Sequence, residues 1–370
     1  MAARRPSLAA AALLTTLLLA PPGAAANAPP TAQTLTLQEA LALAETNNPG
    51  VRLAEYQVAS SRNTWAAAPA QAANLGPAAA LYLQMQYGVT LSQNTIAPED
   101  ASRQAQVNFE DAVIQYYTAR QQVRLGTLQA YVEWQKAHAL VAAQESALAR
   151  AQTQESQVRT AFEAGAVARF DLLQAEAQAT GQQAALAGAS AMRDSARAAL
   201  EQVTGQILPD GMHPASALPS SGDVALPDDL AALTDKALAE RPDLRQAKLD
   251  IIARRGQLTM VGTGSGAAVL QLQAAATQYE MAVLKARTEV RQSLEACRGA
   301  LAELQAREQA LGPAQEALRL AELRYEAGLG TYLEVQSAFA SALQANAARI
   351  QAAASLAVQM ARLSQATGDL

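Results

Sequence analysis

Few side chains in this sequence could do chemistry. The chain carries two histidines, His138 and His213, and a single cysteine, Cys297. A hydrolytic zinc site needs ligands one helical turn apart, as in HExxH, and a serine nucleophile needs a strained GxSxG turn; neither pattern occurs. His138 lies in a helix-forming stretch and His213 in a linker, so the sequence sets them far apart. GTGSG (262–266) is glycine-rich but lacks both the Lys-Ser/Thr of a phosphate loop and a preceding buried strand, and it reads as a turn. Tyr116, Tyr117, Tyr131 and Trp134 recur at helical spacing and read as packing residues. With no metal cluster and no nucleophile–base pair, the expectation is a non-enzyme without cofactor or metal.

The distinctive residues are instead duplicated. Residues 162–175 read FEAGAVARFDLLQA and residues 325–338 read YEAGLGTYLEVQSA, 163 positions later. The match continues without a gap to closing Thr-Gly pairs at Gly205 and Gly368. Gly165 and Gly328 suit the left-handed turn that ends a long helix, which places them at two hairpin tips. Asp171 and Glu334 stand six residues later, in the first turn of each returning helix, where the helix dipole favours a carboxylate.

The elements that must position these residues are long helices. Apolar residues make up 50% of the 370-residue chain but aromatics only 4%, a composition of closely packed, alanine-rich helices. No proline occurs between Pro98 and Pro209, enough for two helices of about 55–60 residues with a break near Gly165. The second half has one internal proline, Pro313, expected to kink or interrupt a helix. Leu294, Cys297, Leu301 and Leu304 step by 3, 4 and 3, and Leu311, Leu318 and Tyr325 continue at 7, a coiled-coil seam. Leu125, Leu128 and Val132 keep a looser version of that rhythm. Cys297 lies on the seam and reads as a small buried hydrophobe. Asn48–Pro49 and Arg241–Pro242 punctuate equivalent helix starts.

Arg4 and Arg5, the apolar run 7–20 and Ala24–Ala26 have the layout of a secretory signal over 1–26. Its removal takes away two arginines and no acid, moving the net charge from −5 to −7. An acidic chain with no basic block is a poor nucleic-acid binder. The first repeat covers 27–207 and the second 228–370, joined by a Pro/Gly/Ser-rich linker at 208–227. Pro49 to Gly165 spans 116 residues and Pro242 to Gly328 only 86, so the second repeat lacks thirty. They fall where helical rhythm is lost. There, within 78–94, Leu81, Leu83, Met85, Tyr87, Val89 and Leu91 alternate with polar residues, as in a membrane strand with one face toward lipid. The glycine-rich segment 256–273 is expected to form a short hairpin.

LTLQEALALAETNNP (35–49), FEAGAVARFDLLQAEAQ (162–178), ERPDLRQAKLDI (240–251) and RYEAGLGTYLEVQSA (324–338), together with the signal segment, resemble the TolC-type outer-membrane efflux channels over nearly the whole mature chain. The resemblance implies a mainly α fold. Two tandem coiled-coil hairpin repeats per subunit form a trimeric α-barrel in the periplasm, joined to a β-barrel in the outer membrane. It also implies a passive export duct of a tripartite efflux or type I secretion system, docking to a periplasmic adaptor and an inner-membrane pump. On that resemblance Gly165 and Gly328 become adaptor-docking tips; as plain helix terminators they need no partner. Glu334, with Asp171, becomes a candidate pore-constricting acid, although a further acid of the family's ring is Ser337 here. The chain departs from the family in strand material: Pro69 and Pro77 interrupt 63–77, and the second repeat offers too few residues for strands of about 9–11. A periplasmic structural coiled coil without a pore is therefore the alternative.

Overall fold

The computed structural model describes residues 34–67, 100–227, 229–261 and 266–369. The signal segment and the strand candidates Leu81, Leu83, Met85, Tyr87, Val89 and Leu91 lie outside the described residues. In order, the chain forms β1 (Thr34–Leu35), α1 (Leu37–Asn47), α2 (Pro49–Ala67), α3 (Asp100–Glu163), α4 (Arg169–Thr204) and β2 (His213–Pro214). A 3-10 turn at Ser221–Asp223 leads to α5 (Leu230–Glu240), α6 (Pro242–Val261), α7 (Gly266–Glu326) and α8 (Tyr332–Thr367).

Each repeat is thus a short helix, a proline-started helix, a very long helix and a 36-residue return. At 1.5 Å per residue, the 64 residues of α3 and the 61 of α7 are each about 90–95 Å long. The break near Gly165 falls where the sequence sets it, but the two helices it separates are unequal. Local chemistry fixes the short helices. Thr36 and Glu39 form a reciprocal capping box at the start of α1. Asp229 accepts from the amides of Ala231 and Ala232 at the start of α5. Asn48 and Arg241 are both extended, as a residue before proline must be.

The seam read from the sequence is a packing line. Val290, Leu294, Cys297, Leu304 and Leu318 of α7 are buried, and Leu301 and Tyr325 are partly so. They pack against Leu356 and Leu363 of α8 and their neighbours. On α3, Phe109 and Val113 pack with Val58 and Trp65 of α2, Tyr131 and Trp134 pack with Leu200 of α4, and Val132 is buried. Many of the remaining buried positions are alanines, so closeness of approach replaces side-chain bulk.

One expectation changes. Residues 256–261 end α6 and 266–273 begin α7, so the hairpin expected at 256–273 is helical on both described sides. The apolar alternation there is too short to compete with the helices that continue into it. Pro313 lies inside α7 without ending it, as expected of an internal helix proline. It sits on an exposed face, where water can take over the Gln309 carbonyl that the missing N–H leaves free.

Candidate functional site

The two hairpin tips are built alike. After α3, the amide of Gly165 donates to the Phe162 carbonyl (2.9 Å) and that of Ala166 to the Ala161 carbonyl (2.8 Å). After α7, Gly328 donates to Tyr325 (2.9 Å) and Leu329 to Arg324 (2.8 Å). This is the Schellman pattern, which requires a left-handed residue; φ is 73° at Gly165 and 70° at Gly328. A Cβ added at either glycine would meet nothing within 4 Å, so only the backbone conformation demands glycine there.

Both tips lie at one end of the molecule, because a single cluster joins them. Val158 and Ala175 of the first hairpin pack with Tyr332 of the second, and Val167, Leu172 and Tyr325 close around them. The Tyr325 and Tyr332 rings stand 5.7 Å apart. Burial, reinforced by the charge of Asp171, pushes the Tyr325 phenol up; burial does the same at Tyr332, against a hydrogen bond from Gln336. Asp171 is half-buried beside this pair, whereas Glu334 is exposed, with its carboxylate 4.0 Å from the Arg324 guanidinium. The structure therefore brings both acids to the tip region in unlike settings. Beyond the cluster, Phe170, Leu173, Leu329 and Leu333 are large and exposed.

Sequence reasoning passed over the tyrosine pair as a tip feature. Its signal was available: two of the chain's nine tyrosines flank the second EAG turn. Arg150 also went unremarked. It reaches Glu322 at 3.7 Å across a groove of about 640 Å³ between α3, α7 and α8.

The histidines are not far apart. Their rings meet edge to face with centroids 5.2 Å apart, because the linker folds back and β2 pairs in parallel with β1 against α3. Among the described residues no group of three or more His, Cys, Asp or Glu could hold a metal ion. Among them, too, no helix is long and apolar enough to cross a membrane.

Comparison with known proteins follows this geometry. The family model described as outer membrane efflux protein matches residues 97–206 and 262–369, the two long hairpins. No curated protein matches the sequence. Among solved structures, the chain is similar to the Campylobacter jejuni outer membrane channel CmeC, with a TM-score of 0.69 and 16% identity over 90% of this chain and 85% of that one. It is also similar to the Vibrio cholerae outer membrane protein VceC (TM-score 0.64, 18% identity, 90% and 96%). The open state of the Neisseria gonorrhoeae MtrE outer membrane channel matches at 0.65, with 20% identity over 90% and 88%. At such identities these neighbours speak to the fold of tandem helical hairpins, and the family match carries the assignment: this chain belongs to the outer membrane efflux protein family.

Proposed function

We propose that the protein is a passive export conduit that assembles as a homotrimer, reaches from the outer membrane into the periplasm, and docks by its hairpin tips to a periplasmic adaptor served by an inner-membrane pump. One observation supports this reading above others. Two Schellman turns stand side by side at one end of the molecule and present Phe170, Leu173, Leu329 and Leu333 to solvent. An apolar patch of this kind around a narrow glycine turn suits a helical hairpin from a partner.

In this reading Gly165 and Gly328 let the adaptor approach closely. Glu334, the exposed acid, repeats around the trimer axis as a ring that favours cations at the entrance. Asp171, half-buried against the tyrosines, holds the tip together rather than lining the bore. Substrate choice belongs to the pump.

Fractionation of the outer membrane, followed by detergent extraction and imaging, tests the proposal. The expected particle is a three-subunit tube with a detergent belt at the end opposite residues 165 and 328. A water-soluble monomer released without detergent overturns it and favours the pore-free coiled coil.

A further inference from the structure

The linker between the repeats is a strap with two attachments. Its first part packs on the first repeat: Leu208 is buried and Met212 partly so, in a cluster with Leu35, Tyr131, Trp134 and Leu200. β2 pairs with β1, the Gln135 amide donates to the Ser216 carbonyl at 2.8 Å, and Arg197 donates to the Leu208 carbonyl and pairs with Asp210 at 3.2 Å. Its second part packs on the second repeat, where Leu218 and Val224 cover Ala300, Leu304 and Leu356, and Ser221 bonds to Glu308.

Where the strap crosses α3, three rings stack in series. Trp134 meets His138 edge to face at 5.2 Å, and His138 meets His213 at 5.2 Å and 80°. Trp134 is fully buried, and its indole N–H finds no protein acceptor among the described residues, so its neighbouring rings hold it. Among the described residues no third His, Cys, Asp or Glu joins the two imidazoles in a metal-holding group, and the rings meet edge to face, as an aromatic contact does. The charged groups facing His138 are His213 on the strap and the Arg193–Asp194 pair on α4; on its own helix, Glu133 and Lys136 pair with each other.

We propose that the Trp134–His138–His213 stack is an acid-sensitive clasp: neutral, it holds the strap to the first repeat, and when His138 takes a proton the strap comes away from α3. The site suits the neutral ring. Burial, then the neighbouring His213, then Arg193 lower His138 from its ordinary 6.5 to about 4, against Asp194. A base lowered on folding contributes fully above its unfolded value. The clasp is therefore complete above pH 6.5, weakens as the pH falls from 6.5 towards 4, and is spent below that. The shift corresponds to at most about a 300-fold change in the closed-to-open ratio.

The test uses the full-length protein in detergent. In a Trp65→Phe background Trp134 is the only tryptophan and reports protonation of the adjacent ring by fluorescence. Hydrogen exchange of 208–216, corrected for intrinsic rates, reports release. The expected result is a Trp134 transition well below pH 6.5, with strap amides exchanging tens to hundreds of times faster at pH 4.5 than at pH 7. His138→Phe keeps a ring in the stack and should abolish the acid-dependent exchange. His213→Gln should move the Trp134 transition towards 6.5. Asp210→Asn should leave the pH dependence in place, separating the clasp from the Arg197–Asp210 pair. A strap that opens equally with pH in His138→Phe, a Trp134 transition at 6.5 in the otherwise native protein, or protonation without faster strap exchange overturns the proposal.

Discussion

Helices α4 and α8 are each 36 residues long, start 163 positions apart and end at Thr204 and Thr367, again 163 apart. At the opposite end the repeats part company. Thirty-two residues, 68–99, separate α2 from α3, whereas four, 262–265, separate α6 from α7. Four residues reach at most about 14 Å, far short of one membrane strand. Length for strands thus resides in the first repeat alone. The thirty residues missing from the second repeat come almost wholly from this connection, and no helix lost its seam in consequence. Packing between the long helices fixes the tips and the returns, while the far connection answers to whatever lies beyond the helices.

The closing ends of α4 and α8 show how strict the conserved half of that comparison is. Gly205 (φ 69°) and Gly368 (φ 85°) are both left-handed caps, and each presses on the last residues of the short helix of its own repeat. A Cβ on Gly205 would stand 2.8 Å from the Asn47 carbonyl oxygen; one on Gly368 would stand 3.1 Å from the Glu240 Cβ. Backbone cannot yield as a side-chain tip can. Gly205→Ala should therefore cost about 3–4 kcal/mol, adding backbone strain to the clash, and Gly368→Ala about 2–3. The urea midpoint of the purified protein checks this, and losses no larger than those of alanine at Gly165 and Gly328 would mean that close approach adds nothing to backbone strain.

Beside those glycines the same contact is made with different chemistry. The Asn48 amide donates to the Val203 carbonyl at 2.8 Å, and at the equivalent place the Arg241 guanidinium reaches the Ala366 carbonyl at 3.4 Å. Arg241 also pairs with Asp243 and Glu289, each at 2.7 Å. Arg241→Ala should cost about 2 kcal/mol at neutral pH, since its acidic partners are partly solvated, and Asn48→Ala about 1.5, because Asn48 also caps α2 through the Gly50 amide. The two should differ in pH dependence. Burial raises Asp243, but hydrogen bonding and charge from Arg241 outweigh it and hold the carboxyl below its ordinary 3.8. That contribution is complete above 3.8 and fades as the pH falls below it. The gap between wild type and Arg241→Ala should narrow in acid, while the Asn48→Ala gap persists.

Much of this was legible in the sequence, and what was not has a physical cause. The EAG turns, the prolines and the heptads are local signals that need only neighbours a few residues away, and the helices end or turn where those signals say. The seam from Leu294 to Tyr325 was readable because a 61-residue helix repeats its pattern many times over. The meeting of His138 with His213 was not readable. It depends on a two-residue parallel pairing between β1 and β2, chain segments more than 170 residues apart. The Arg241–Ala366 equivalence was hidden for a different reason: Asn48 and Arg241 share a position and no chemistry. The 256–273 segment was misjudged because glycines suggest turns, whereas helices on either side extend to within four residues of each other.

At the tips, the comparison predicts equality. Neither Gly165 nor Gly328 has a neighbour for a Cβ to strike, so alanine should cost only the left-handed strain, about 1 kcal/mol at each. If adaptor docking needs close backbone approach at one tip more than the other, export in cells will separate two variants that unfold alike. Equal export defects would make the tips interchangeable.

The finest difference lies one turn further on. Thr331 caps α8, its hydroxyl accepting from the Glu334 amide at 3.3 Å; Ala168, the equivalent residue before α4, has no side chain to offer. Both are extended, with ψ near 152°, so the backbone at Ala168 is already set for a cap. Thr331→Ala should lose about 0.5–1 kcal/mol, and Ala168→Thr should gain a similar amount. Hydrogen exchange of the first-turn amides of α4 and α8 measures both effects, too small for a global melt, and in the double exchange the two returns should trade protection. If Ala168→Thr leaves α4 unchanged, the Asp171 carboxylate already saturates that first turn through the helix dipole, whereas α8 draws on both the Glu334 charge and the Thr331 hydroxyl.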